Sequence, residues 1–198
     1  MPTRGGVPLQ FQALKARGMS PGVLIFERLR VSLRYWWKWR PQGGALFGVV
    51  HAAGLSCIQP ARLLEPSYYR DVMLVNTEAA LALARGFLSK KVSEPSGGYI
   101  VFVSSVMAWA GSPGAVAYGM SKAALTGMAK ALAVELAPRK IRVNCVAPRF
   151  VKIPMFDRVF GMWDADQRSR VESEHPLGLG EPADVANAIA FFLADSGR

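Results

Sequence analysis

Tyr99-Ile100-Val101-Phe102-Val103-Ser104-Ser105 is the stretch on which the fold turns. Its first five residues are almost continuously apolar, with none of the in-out alternation of a half-solvated strand, so a strand here is covered on both faces. Turn-forming residues bound it on either side, Pro95-Ser96-Gly97-Gly98 before and Ser112-Pro113-Gly114 after. Downstream, Leu125, Met128, Ala129, Leu132 and Leu136 recur at helical spacing until Pro138 stops the run, and residues 141–146 form a further buried strand. Upstream, residues 46–51 read as a buried strand closed by Ala52-Ala53-Gly54. A helix is expected over 66–88, with Met73, Leu74, Leu81, Leu83, Ala84 and Phe87 as its apolar positions. Residues 184–193 supply one more amphipathic helix, opened by Glu181-Pro182 as an acidic, proline-bearing first turn. Strands alternating with helices predict an α/β domain with a doubly wound parallel sheet.

Composition sets the outer bounds. The chain has 198 residues, of which 51% are hydrophobic, enough for one domain with a substantial core. Its formal net charge is +10, which alone suggests an anionic partner. The distribution argues otherwise, because residues 1–42 hold eight Lys/Arg against the single acid Glu27. Most of the excess charge sits in that segment, and a boundary follows near Gly43-Gly44, dividing a basic, aromatic-rich segment (1–43) from a domain over 44–198. Cys57 and Cys145 lie in apolar surroundings with no CxxC pattern or His at ligand spacing, so they are expected to be buried thiols, and no metal site is expected. The uncharged stretch 95–121 is broken too often by Gly, Ser and Pro for a membrane span. The start of the chain lacks the apolar core of a secretion signal, so a cytoplasmic location is expected.

Chemistry enters with Tyr118-Gly119-Met120-Ser121-Lys122, which sets a phenol and an amine four residues apart on one helix face. A cation there is expected to lower the tyrosine's pKa and ease proton exchange with a substrate oxygen. Such a pair also arises from a tyrosine beside a snorkelling surface lysine. Ser105 distinguishes the two cases: it ends the 99–103 strand at the carboxyl edge, where open α/β sheets hold their ligands.

In type, order and spacing, Ser105, Tyr118 and Lys122 resemble the catalytic residues of the short-chain dehydrogenase/reductase family, and of its 3-oxoacyl-acyl-carrier-protein reductase-like members in particular. Val49-Val50-His51-Ala52-Ala53-Gly54 resembles the family's strand-plus-NNAG element, with His51 where Asn is usual. Val75-Asn76 resembles its helix asparagine, residues 143–148 the strand before its substrate loop, and Gly180-Glu181-Pro182 its late helix entry. The resemblance implies a Rossmann-like sheet and hydride transfer between NAD or NADP and a carbonyl or alcohol. It implies catalysis by Ser105, Tyr118, Lys122 and Asn76, with Asn76 supporting a water relay to Lys122. It also implies cofactor contacts from Ala53, Gly54, Tyr118, Lys122, Pro148 and Val151, a small-molecule substrate, and homo-oligomers through the long helices. No chemistry is assigned to His51, and Ser104 is read as a bystander. Met155, Phe156, Phe160, Met162 and Trp163 either form a lid over a lipophilic substrate or pack on the core.

The family's glycine-rich turn between first strand and first helix is not found in residues 1–42, nor its final strand after residue 198, so the sheet is expected to be incomplete at both ends. A truncated or frame-shifted reading frame is favoured for residues 1–42 over a divergent nucleotide-binding segment or a separate cationic module. The alternating cations and aromatics of 28–40 would suit single-stranded nucleic acid or a membrane interface, although neither is adopted as a partner. Three functions follow: an NAD(P)-dependent oxidoreductase with a hydrophobic substrate, a catalytically silent relative or fragment that acts by associating with a full-length one, or a cationic surface-binding protein that merely retains the fold.

Overall fold

The computed structural model describes residues 23–26 and 45–195. Four parallel strands form one sheet in the order β1 (Val23–Phe26), β2 (Gly48–His51), β3 (Gly98–Val103), β4 (Ile141–Val146). β1 lies within the basic segment 1–43, for which the sequence assigned no element. It pairs with β2 in the register Val23 to Gly48 through Phe26 to His51. Only four apolar residues long and followed at once by Glu27-Arg28, it is too short for periodicity to reveal. The basic 28–40 stretch and the search for a glycine turn fall largely outside the described residues.

β2 and β3 are buried on both faces because helices cover both. Val49, Ile100, Phe102, Ile141 and Val143 point to one side, where they pack with Ala80, Leu83, Ala84 and Phe87 of one helix and Leu125, Ala129, Leu132 and Leu136 of another. Val50 and Val101 point to the other side, against Ile189, with Val185, Phe192 and Leu193 closing the layer. This is the two-sided cover that continuous apolar strands require, and the fold is Rossmann-like α/β.

The expected helix over 66–88 exists in three pieces: α1 (Pro66–Met73), a π turn at Leu74–Glu78, and α2 (Ala79–Phe87). A π turn is a frequent mark of function, and Asn76 lies within it. α3 (Val116–Leu136) is long and unbroken. Pro138 ends it as expected, inside a 3₁₀ turn (Ala137–Arg139) that leads to Lys140 in the left-handed region. Gly97 makes the reciprocal turn possible: its φ is +134°, and a Cβ there would meet the Lys140 carbonyl at 2.5 Å. β4 then runs beside β3 from Gly98–Ile141 pairing to Val103–Val146 pairing.

After β4 the chain forms two short helices that the sequence did not announce, α4 (Pro154–Phe160) and α5 (Ala165–Ser173), before α6 (Pro182–Leu193). α5 is held at its start by a reciprocal Asp164–Gln167 capping box rather than by an apolar stripe. α6 begins two residues earlier than expected, with Pro182 in its first turn and the Glu181 backbone bonded to Asp184. No helix among the described residues is long and apolar enough to cross a membrane.

Candidate active site

β2, β3 and β4 end in register, so the segments that leave them emerge side by side at one sheet edge. Ser104 and Ser105 are the first residues beyond β3, and both are buried. The Ser104 hydroxyl donates to the Lys122 carbonyl at 2.8 Å, fastening β3 to α3. Ser105 opens a 3₁₀ turn (Val106–Ala108), its Oγ accepting from the Met107 N–H at 3.2 Å and donating to the Pro148 carbonyl at 3.4 Å. The hydroxyl of Ser105 is thus oriented from β3 and from the segment after β4.

Tyr118 and Lys122 lie one turn apart on α3, with the Lys122 Nζ 5.7 Å from the centre of the Tyr118 ring. Lys122 is 4% exposed, and its Nζ donates to the Val103 carbonyl at 2.8 Å. Burial pulls the amine down from 10.5 to about 8, and no acidic side chain among the described residues pairs with it. Burial also raises the Tyr118 phenol above its ordinary value, with the Ser105 hydroxyl offsetting part of the rise. The expected lowering of the phenol by its lysine neighbour is therefore corrected. Desolvation outweighs a cation whose own hydrogen bond points to β3.

Asn76 is fully buried behind this pair. Its Oδ1 accepts from the Leu55 N–H at 2.7 Å, and its Nδ2 donates to the Leu55 carbonyl at 3.0 Å and the Ser121 hydroxyl at 2.9 Å. Ser121 in turn donates to the Tyr118 carbonyl at 2.7 Å, and Thr77 to the Ser121 carbonyl at 3.1 Å. The asparagine thus ties the loop after Gly54 to the turn of α3 that carries Tyr118. The wide π turn sets it there, and Ser121 is a partner that sequence reading missed.

A cavity of about 540 Å³ opens at this edge. Ser105, Tyr118, Lys122, Gly54, Pro148 and Val151 all line it, whereas Asn76 and Ala53 lie behind its wall. Gly54 leaves room beside the amine: a Cβ there would stand 3.4 Å from Lys122 Nζ and 3.5 Å from Asn76 Oδ1. Away from the hydroxyls the wall is apolar. Cys57 and Ile58 were not anticipated in it, and Met155, Phe156 and Trp163 supply the side under α4. The lid and core readings divide these residues. Phe156 packs 5.0 Å from Phe160, ring centre to ring centre, and also faces the cavity, while Met162 is 76% exposed and does neither.

Two ion pairs hold the segment that follows β4, Arg149 with Glu174 at the end of α5 and Lys152 with Glu181 at 2.6 Å. His51, at the end of β2, has neither ring nitrogen hydrogen-bonded among the described residues. Burial, helped by the Lys122 cation, depresses it to about 4 against a small opposing effect from the Val75 backbone, so the ring is neutral.

Residues 38–198 match the family model described as Enoyl-(Acyl carrier protein) reductase. The chain belongs to the short-chain dehydrogenase/reductase family. Within that family it is 38% identical over 144 residues to a 3-oxoacyl-acyl-carrier-protein reductase of Rickettsia felis, covering 72% of this chain and 58% of that protein. It is also 38% identical over 121 residues to the human Dehydrogenase/reductase SDR family member 4, covering 61% of this chain and 43% of the relative. The chain thus spans about half the length of these curated relatives. Among solved structures of short-chain dehydrogenase/reductases it superposes on the angucycline C-6 ketoreductase LanV with bound NADP, with a TM-score of 0.68 and 29% identity over 77% of this chain and 57% of that one. A short chain dehydrogenase family protein from Francisella tularensis gives a TM-score of 0.70 at 25% identity, over 78% and 66% of the two chains. Arg149 and Ile153, where the short-chain dehydrogenase/reductase pattern usually has Gly and Thr, both line the cavity mouth.

Proposed function

We propose that the chain is an NAD(P)-dependent oxidoreductase that interconverts an apolar ketone or aldehyde and its alcohol. One observation carries the reading: the Ser105 hydroxyl, the Tyr118 phenol and the Lys122 amine line one cavity whose wall is mostly apolar. The room that Gly54 leaves beside an amine with no anionic partner suits the ribose end of a dinucleotide. Gly54, Lys122, Pro148 and Val151 would hold that end, with Ala53 just behind. A bound nicotinamide supplies or accepts the hydride.

The residues of the chain handle the oxygen. With a carbonyl in the cavity, the Ser105 hydroxyl donates a hydrogen bond to its oxygen, and the Tyr118 phenol transfers a proton as that oxygen gains negative charge. A phenol held above its ordinary pKa is fully protonated at neutral pH, which suits proton donation during reduction. Lys122, a cation below about pH 8, favours the anion that develops on either oxygen. Asn76 acts as a positioning residue through Leu55 and Ser121. The proposal extends to a homo-oligomer formed through the long helices, supported by the exposed apolar side chains of Leu74, Leu81 and Val134. It also includes a cytoplasmic setting, in keeping with the free thiols Cys57 and Cys145.

Fluorescence titration with NADH and NADPH, followed by reduction of a graded series of ketones, tests this reading. Saturable binding and turnover that falls below detection in Tyr118→Phe are expected. Absence of binding would move the chain to the alternative of a silent relative acting by association, and an active Tyr118→Phe variant would remove the phenol from the mechanism.

A further inference from the structure

Three features of the Lys122 amine would also serve a second chemistry when no nicotinamide is bound. The amine faces an apolar cavity large enough for a small organic molecule. It has an open side, since the position a Cβ of Gly54 would fill is vacant and lies 3.4 Å from Nζ. Two hydroxyls able to polarise a carbonyl, on Ser105 and Tyr118, line the same cavity, and the Tyr118 ring centre lies 5.7 Å from Nζ. We infer that Lys122 captures apolar aldehydes and ketones as a reversible imine, an activity independent of any nicotinamide.

The chemistry balances without an outside reagent. The nitrogen lone pair attacks the carbonyl carbon while Tyr118 or Ser105 hydrogen-bonds the oxygen, giving a carbinolamine once the nitrogen proton has passed to that oxygen. Loss of the hydroxyl with a second nitrogen proton releases one water and leaves a C=N bond. Water expelled into bulk does not return readily to an apolar cavity, which favours the imine over its hydrolysis.

The surroundings keep the amine reactive. The groups around it are the Val103 carbonyl that accepts its hydrogen bond, His51 from β2, Asn76 from the π turn, Tyr118 from its own helix, and Cys145 from β4. None is an anion at neutral pH: His51 is held at about 4, Cys145 is pushed up to about 11, and the phenol is raised. With its pKa at about 8, Lys122 holds about 200-fold more free base near neutral pH than an ordinary lysine, an advantage partly offset by weaker basicity.

Decanal and cyanoborohydride, added to the full chain without nicotinamide at about pH 7.5, give the test, read by intact mass and peptide mapping. One adduct per chain at Lys122 is expected, forming at least about tenfold faster than at surface lysines such as Lys90 or Lys130. Decanol should protect that site alone, Lys122→Arg should abolish the fast adduct, and Gly54→Ala should slow it several-fold by filling the space beside Nζ. Labelling spread over surface lysines with Lys122 unmodified would overturn the inference, as would a fast adduct that persists in Lys122→Arg. NADPH binding and ketone reduction are measured separately, so either activity can fail while the other stands.

Discussion

Replacing Lys122 with methionine should make the protein more stable at neutral pH and lose that advantage in alkali. The native amine is 4% exposed, and its pKa is lowered from 10.5 to about 8 by burial. Unfolded chain binds this proton more tightly than folded chain, so the lysine costs stability in full below about pH 8. The cost fades as pH rises toward 10.5 and is gone above it. At 1.36 kcal/mol per unit, the burden is roughly 3 kcal/mol at neutral pH and about 1 kcal/mol near pH 10. Methionine fills a similar volume but leaves the Val103 carbonyl without its 2.8 Å donor, which costs about 1 kcal/mol in return. The variant should therefore be about 2 kcal/mol more stable than the native chain at neutral pH and about equal to it near pH 10. Urea unfolding of both proteins across this range reads the difference directly, since every other titrating group is common to the two. A difference that stays flat with pH would mean that the amine keeps an ordinary pKa and is reached by water, and would refute the reasoning.

Three further outcomes can be checked alongside it. His51 has its pKa depressed from 6.5 to about 4, so its contribution is intact above 6.5 and is lost as pH falls through 4; His51→Leu should flatten acid unfolding by about 2–3 kcal/mol between neutral pH and pH 4.5, seen in melts at both. Asn76→Ala removes three buried hydrogen bonds and leaves the Leu55 N–H without its acceptor; a loss of about 2–4 kcal/mol in urea unfolding is expected, with Asn76→Asp recovering only part. Phe156→Ala should raise KM for long apolar ketones by about tenfold while leaving kcat for short ones nearly unchanged, in steady-state assays with a graded substrate series.

What could be read from the sequence depended on the kind of signal each element leaves. β3 was legible because five successive apolar residues between Gly/Pro turns have few other readings, β4 because Ile141, Val143, Cys145 and Val146 stand between Pro138 and Pro148, and Pro138 marked the end of α3 with a missing N–H. The convergence of Ser105, Tyr118 and Lys122 was legible because a strand end and one helix turn fix where three side chains point. α5 left no such trace, since a capping box and ion pairs hold it and no apolar stripe does. The shift of Tyr118 was read in the wrong direction because spacing reports that two groups are near, whereas burial depends on the β3 and β4 loops packed over them. The fit of Ser121 against Asn76 depends on a helix turn of unusual width, which residue types at Leu74–Glu78 do not disclose.

That widened turn amounts to a phase shift built into one rod. A regular helix advances 100° per residue, so the residue that a π turn adds rotates everything before it relative to everything after. Val72 reaches its pocket beside Cys57 and Ala117 while Leu83 and Phe87 reach the sheet, two directions that a strictly regular spiral through the same sequence would not serve together. Excising a single residue between 74 and 78 would let the rod run as a regular helix with α1 and α2 still on their present faces, at the cost of the wide turn that carries Asn76 to the loop it anchors.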